Sequence, residues 1–168
     1  DNKRLKMIIP STSYDKFNLT LKKGYLPQYS RNALQINNGN GTFSEIGQLL
    51  GVHNTDWSWA PLIADFDNDG DRDFFMSNGL LKDVGDLDFI HYQPLRSSFG
   101  TKKSKDSMRI ETVNKLPSLS IKDYFFENHG SLKFINKTME WGIDEPSISH
   151  GAAYGDLDND GDLDLVIN

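Results

Sequence analysis

The chain contains 168 residues, which is enough for one ordinary domain with a sizeable hydrophobic core. It has no Cys, so disulfides and thiol catalysis are excluded. The net charge of −6 arises in two short segments that hold ten of the 24 acidic residues, whereas the remainder carries 14 acids and 17 bases. This balance gives no strong case for a nucleic-acid surface, and no stretch approaches the apolar length of a membrane-spanning helix.

The first definite prediction along the chain is a β-hairpin, which follows an N-terminal segment (residues 1–28) of uncertain structure. The apolar run 33–36 and the aromatic run 42–44 flank the turn Asn37-Asn-Gly-Asn-Gly41. Asn-Gly pairs between short apolar runs favour hairpins, because both residues tolerate the positive φ angles of tight turns. We therefore expect two short antiparallel strands here.

The next feature is an acidic loop, residues 65–73, between the apolar runs 59–64 and 74–77. Its Asp residues occupy positions 1, 3, 5, 7 and 9, and Gly at position 6 allows a sharp turn around an ion. An EF-hand would place Glu at position 12 between helices, but position 12 is Met76 and the flanks are typical of strands. We expect the last ligand at position 9 instead, with position 7 offering its backbone carbonyl. The predicted calcium-binding residues are Asp65, Asp67, Asp69, Asp71 and Asp73.

A second acidic loop, residues 156–164, repeats this pattern between the apolar runs 151–155 and 163–167. A solvated acidic turn without metal is one alternative, and magnesium is another, although magnesium prefers fewer protein ligands and more water. Zinc and redox metals are disfavoured, because there is no Cys and the four His residues show no ligand spacing. Two calcium sites are therefore predicted, the second at Asp156, Asp158, Asp160, Asp162 and Asp164.

The two acidic loops belong to a larger repeat with a fixed offset of 91 residues. The same offset pairs Asn37 with Asn128 and Phe43 with Phe134. Each unit therefore comprises a hairpin, a Gly-ended linker, a further strand, the acidic loop and a final strand. Repeated units of short strands and Gly-rich turns are typical of a propeller or another repeat architecture.

Residues 80–122 do not repeat, and we interpret them as an insertion. The insertion is predicted to be mostly irregular, with a short helix that Asp106 caps and Pro117 ends. It is either a lid or contact surface, since insertions between repeats tend to cluster on one face, or a helix that covers a blade edge. A turn or a further cation site is predicted at Asp83, Asp86 and Asp88.

Three stretches of this sequence resemble a known family: NNGNGTF (37–43), ADFDNDGDRDFFMSNG (64–79) and GAAYGDLDNDGDLDLVIN (151–168). They are similar to the FG-GAP or VCBS repeats of integrin-alpha-type β-propellers, and most similar to the bacterial relatives of cartilage acidic protein. The resemblance implies a calcium-stabilised propeller in which each acidic loop joins the first two strands of a blade. It implies as ligands Asp65, Asp67, Asp69 and Asp73, then Asp156, Asp158, Asp160 and Asp164. No ASPIC/UnbV segment is visible.

The expected fold is all-β: a partial β-propeller of about two blades, with calcium loops between strands and a mostly irregular insertion that contains a short helix. Residues 29–79 would supply the end of one blade and the start of the next, and residues 123–168 the second repeat. Since a closed propeller needs about four to eight blades, we expect a fragment of a larger propeller. The alternative is a small self-contained β domain.

Three functions remain open. The first is a non-catalytic binding or adhesion protein, exported or at the cell surface, because calcium loops of this kind suit places where calcium is plentiful. Its partner would be a protein or a glycan. The second is part of a calcium-dependent polysaccharide-degrading enzyme, with His91 or Tyr92 as candidate bases. The third is a purely structural segment of a larger assembly.

Overall fold

The computed structural model describes residues 14–27, 29, 31–84 and 102–168. The chain divides into two compact units, one of Asp1–Ser30 with Lys82–Ser118 and one of Arg31–Leu81 with Leu119–Asn168. The first unit carries the helices and the second carries the strands.

The helical unit contains α1 (Tyr14–Lys22), which the sequence did not predict. This helix ends in a Schellman motif: the Tyr25 N–H donates to the Thr20 carbonyl at 3.1 Å and the Gly24 N–H donates to the Leu21 carbonyl at 2.9 Å. Gly24 has a φ of 81°, the left-handed conformation that this motif requires. The N-terminal segment therefore contains at least one regular, properly terminated helix.

The second helix, α2 (Lys102–Asn114), corrects the predicted start of the insertion helix. Asp106 lies inside α2 and does not cap it, because the helix extends back over lysines, which are good helix formers. The helix ends three residues before Pro117, as expected. Lys82 Nζ donates to the carbonyls of Asn114 at 3.2 Å and Leu116 at 2.8 Å. These bonds place a cation at the carboxyl end of the helix, where the helix dipole favours positive charge. Residues 85–101 lie outside the described part, including Asp86, Asp88, His91 and Tyr92.

The strand-bearing unit contains three antiparallel sheets among the described residues. A four-stranded sheet with the order β3-β4-β5-β6 stands in the sequence between two separate hairpins, β1-β2 and β7-β8. Pro61 lies in β3, an edge strand of the four-stranded sheet, where its missing N–H is tolerated. The strands are β1 (Gln35–Asn37), β2 (Phe43–Glu45), β3 (Ser58–Ala64), β4 (Asp73–Asn78), β5 (Tyr124–Asn128), β6 (Phe134–Asn136), β7 (Ala152–Gly155) and β8 (Asp164–Ile167).

The offset of 91 relates these strands in pairs. β1 and β2 correspond to the last three residues of β5 and to β6, and β7 and β8 correspond to the ends of β3 and β4 that flank the loop. The described strands are thus the last two strands of one blade, one four-stranded blade, and the first two strands of another. The predicted all-β, partial propeller-like fold is confirmed, and its four-stranded blade is interrupted by the insertion between β4 and β5.

Two hydrophobic cores flank the four-stranded sheet, because successive side chains of β4 point to opposite faces. The first core contains Phe74 and Met76 of β4, and Leu34 and Leu50 pack against it from the segment around the first hairpin. The second core contains Phe75, which is fully buried. Its other members and neighbours are Ala64, Phe66, Phe125, Leu62, Ile143, Ala152, Leu163 and Leu165. Each core therefore joins the sheet to one neighbouring hairpin.

Candidate metal centre

The two acidic loops occupy equivalent places in the fold. The first acidic loop joins β3 to β4, and the second acidic loop joins β7 to β8. Both turn in the same way: Asn68 and Gly70 have φ angles of 60° and 94°, and Asn159 and Gly161 have 62° and 96°. The sixth position of each loop requires a backbone conformation that residues with a Cβ adopt only with strain, which explains why Gly occupies this position in both copies.

The first Asp of each loop is held by backbone N–H groups of that loop. Asp65 accepts bonds from the N–H of Asp69 at 3.1 Å and of Gly70 at 3.0 Å. Asp156 accepts the equivalent bonds from Asp160 and Gly161, each at 3.2 Å. These bonds fix the carboxylate at the concave side of the turn.

Three carboxylates converge in each loop. One carboxylate oxygen from each residue of the first group lies within 4.8 Å of the others, and the second group meets the same condition. In the described part of the chain, no Lys or Arg forms an ion pair with either group. An all-oxygen set of converging carboxylates suits a hard cation such as calcium or magnesium, so the residues fit such an ion. The groups are Asp65, Asp67 and Asp73 in the first loop, and Asp156, Asp158 and Asp160 in the second.

The remaining predicted ligands lie outside these groups. Asp69 and Asp71 are exposed, and the Asp69 carboxylate accepts a bond from the Asp71 N–H at 2.8 Å. In the second loop, Asp162 accepts a bond from Asn68 Nδ2 at 2.6 Å, which links the two loops directly. Asp164 accepts one from the Leu157 N–H at 2.9 Å. The full set of ligands therefore stays a prediction.

Asp73 connects the first loop to the next hairpin of the sheet. It is fully buried, and its two oxygens accept bonds from the N–H of Phe66 at 3.0 Å and of Asn128 at 2.9 Å. Burial raises the pKa of Asp73 above its ordinary value of 3.8; the two N–H bonds oppose the rise, and repulsion from Asp67 and Asp69 adds to it. Because a carboxylate oxygen can accept more than one partner, both oxygens of Asp73 can keep these hydrogen bonds and still coordinate a cation.

A second repeated contact, which the sequence reasoning missed, lies where each hairpin meets the following strand. Ser149 Oγ donates to Asp123 Oδ2 at 2.8 Å, and Asn32 Nδ2 donates to Ser58 Oγ at 3.3 Å. The same offset of 91 relates the two pairs, and this offset is the signal that would have revealed them.

Asp123 is buried in this contact without a cationic partner among the described residues. Its Oδ1 also accepts a bond from the Asn78 N–H at 2.7 Å. Burial raises the pKa of Asp123 above 3.8, and hydrogen bonds from Asn78, Ser149 and Ser147 oppose that rise. The contact therefore joins β4, β5 and the segment before β7 through one buried carboxyl group.

Comparison with known proteins supports the repeat family. Residues 25–76 match the family model described as FG-GAP-like repeat, a segment that includes β1 to β3, the first acidic loop and most of β4. This segment is less than a third of the chain. No curated protein and no solved structure matched the sequence. Neither described helix has the length and apolar character needed to cross a membrane.

Proposed function

We propose that this chain is a calcium-stabilised segment of a larger FG-GAP-type β-propeller, with one ion in each acidic loop. The propeller would be a non-catalytic binding or adhesion protein, exported or at the cell surface. The match of residues 25–76 to the FG-GAP-like repeat supports the repeat type. The closer similarity to bacterial relatives of cartilage acidic protein is part of this proposal and rests on the sequence motifs.

The observation that carries the metal proposal is the equivalence of the two loops. Three carboxylates converge within 4.8 Å in each of them. Carboxylates this close repel one another, and in the described residues no basic side chain compensates them. A divalent cation would replace that repulsion with shared coordination.

The ion would stabilise more than the loop that holds it. In the first loop, Asp73 is both a member of the carboxylate group and the acceptor of the Asn128 N–H from β5. Fixing Asp73 therefore also fixes the pairing of β4 with β5. Metal binding and folding should be linked for this reason.

A binding function is favoured over catalysis because the converging carboxylates of the described residues are used as ligands. His91 and Tyr92, the candidate bases of the enzyme alternative, lie outside the described residues. A glycan array and a protein pull-down with the full-length protein would identify the partner. Binding in calcium that is lost with chelator is expected.

Isothermal titration with calcium tests the metal proposal. The parent chain should bind two ions, and Asp67→Ala and Asp158→Ala should each remove one. Asp144→Ala is a matched control, because Asp144 lies outside both loops and pairs with Lys122 at 3.8 Å. No heat of binding in the parent chain, or equal loss in the control, would contradict the proposal.

The dissociation constant tests the proposed location. Calcium sites of extracellular proteins have dissociation constants of about 10⁻⁴ to 10⁻³ M, whereas cytosolic buffers bind at about 10⁻⁹ to 10⁻⁸ M. We expect the weaker range. Binding in the nanomolar range would instead indicate an intracellular calcium buffer.

A further inference from the structure

One hydrogen bond joins the two acidic loops directly. Asn68 is the fourth residue of the first loop, and its Nδ2 donates to Oδ1 of Asp162, the seventh residue of the second loop, at 2.6 Å. An ionised carboxylate only accepts hydrogen bonds, so the Asn68 side chain must turn its NH₂ group toward Asp162. The two residues are 94 positions apart in the sequence, so the contact exists because the fold places the two loops side by side.

Each end of this bond lies next to a carboxylate of a converging group. Asn68 directly follows Asp67, a member of the first group. The Asp162 N–H donates to Asp160 Oδ1 at 2.9 Å, and Asp160 is a member of the second group. Asp162 also stands at the position from which a backbone-carbonyl ligand is expected. A continuous path of one peptide link and two hydrogen bonds therefore runs from the first group to the second.

The direction of the Asn68 side chain depends on the shape of the first loop. Its φ of 60° lies in the left-handed region, which Asn tolerates better than most residues. Residues 67–72 are exposed, so hydrogen bonds to Asp65 within the loop, rather than packing, hold this turn. Neutralising the repulsion among the carboxylates of the loop would hold the turn more firmly, and Asn68 with it.

We propose that Asn68 couples the two acidic loops, so that calcium in one loop raises the affinity of the other loop for calcium. This proposal rests on the function proposed above, in which each loop binds one ion. When the first loop is filled, Asn68 is restricted to the orientation that donates to Asp162, so the second loop loses less conformational freedom when it binds. Coupling between two binding sites is reciprocal, so a filled second loop strengthens binding in the first loop by the same factor.

Charge repulsion between two bound cations acts in the opposite direction. Salt screens this repulsion at exposed loops, because the Debye length is about 8 Å at about 0.15 M ionic strength and about 3 Å at about 1 M. A hydrogen bond to a charged acceptor acts at contact distance and is screened much less. We therefore expect positive coupling that persists at high salt, whereas charge repulsion alone would give negative coupling that fades as salt is added.

Calcium titration followed by NMR of the ¹⁵N-labelled chain measures the coupling. The amide signals of Gly70 and Gly161 report the two loops separately, because each N–H donates to the first Asp of its own loop. In Asp67→Ala, where the first loop cannot fill, the second loop should bind at least about fivefold more weakly than in the parent chain, the lower end of typical coupling. By reciprocity, Asp158→Ala should weaken binding in the first loop by the same factor.

A second pair of variants tests the role of Asn68. Asn68→Gly removes the amide that joins the loops and keeps the positive φ, which Gly adopts without strain. In this background, adding Asp67→Ala should change the affinity of the second loop by less than about twofold, because the coupling is already lost. Asn159→Gly is the matched control, since Asn159 has a φ of 62° at the same place in the second loop. In the Asn159→Gly background, the about fivefold effect of Asp67→Ala should remain.

Two loops that bind calcium independently in the parent chain would overturn the coupling and leave the metal proposal standing. Negative coupling that fades at high salt would overturn it as well, because charge repulsion would then be the dominant effect. An undiminished effect of Asp67→Ala in the Asn68→Gly background would overturn the role of Asn68. No calcium binding at either loop of the parent chain would contradict the metal proposal, and this one with it.

Discussion

Replacement of Phe75 by Ala should remove a large part of the stability of the strand-bearing unit. Phe75 is fully buried, lies in the second core and pairs with Phe125 on the neighbouring strand. Buried Phe→Ala changes cost about 3–5 kcal/mol through lost burial and the cavity left behind. For a domain of about 100 residues, each kcal/mol lowers Tm by about 4–8 °C, so a fall of at least about 12 °C is expected.

The matched control is Phe43→Ala, which makes the same chemical change on β2, where Phe43 is 62% exposed. It should cost less than about 1 kcal/mol, because exposed side chains contribute little. Guanidinium chloride denaturation in calcium, followed by circular dichroism, measures both variants. Equal losses, or a loss below about 1 kcal/mol for Phe75→Ala, would refute the assignment of this core.

Two further perturbations follow from the structure. A Cβ on Gly79 would lie 2.6 Å from the Ile148 Cα, and Gly79 has a φ of 134°. Gly79→Ala should therefore lower the free energy of unfolding by about 3 kcal/mol or more. Gly51→Ala is the control: Gly51 has a φ of 74° and open space around it, so the loss measured in the same denaturation assay should be clearly smaller. Burial raises the pKa of Asp123 in the folded state above its ordinary value of 3.8. Protonated Asp123 therefore contributes its full stabilisation below about pH 3.8, and this stabilisation is lost as the pH rises through the raised pKa. Asp123→Asn does not titrate there, so its unfolding free energy should improve relative to the parent chain as pH rises; a constant difference would contradict this.

The strands and acidic loops were predictable because their signals are local. Asn-Gly turns and Asp-rich loops bracket short apolar runs, and the structure places β1 to β8 within one or two residues of most predicted runs. The offset of 91 also predicted which strands correspond. The boundaries that divide the chain at residues 29, 80 and 123 stay predictions.

The helices were less predictable. In α1, Phe17, Leu19 and Leu21 alternate with polar residues, a spacing typical of a strand, yet the segment is helical and none of its residues is buried. In α2 the polar, basic start gave no periodic signal, so the predicted helix began too late. The apolar residues of α2 form no clear stripe that would mark its extent.

The polar contact at Asp123 was missed for a different reason. Its members lie far apart in the sequence, since Asn78 and Ser149 meet Asp123 only in the folded sheet. Comparing the repeats position by position would have shown that Asn32 corresponds to Asp123 and Ser58 to Ser149. Burial of a carboxyl group without a cation is a tertiary property that no local pattern announces.

Thermal melting with and without calcium tests the central claim most directly. At calcium one hundredfold above the dissociation constant, each site contributes about 2.7 kcal/mol to stability. Chelation should therefore lower Tm by at least about 10 °C, and added calcium should restore it. An unchanged Tm after chelation, at calcium low enough to empty the sites, would contradict calcium as the ion that stabilises the two acidic loops.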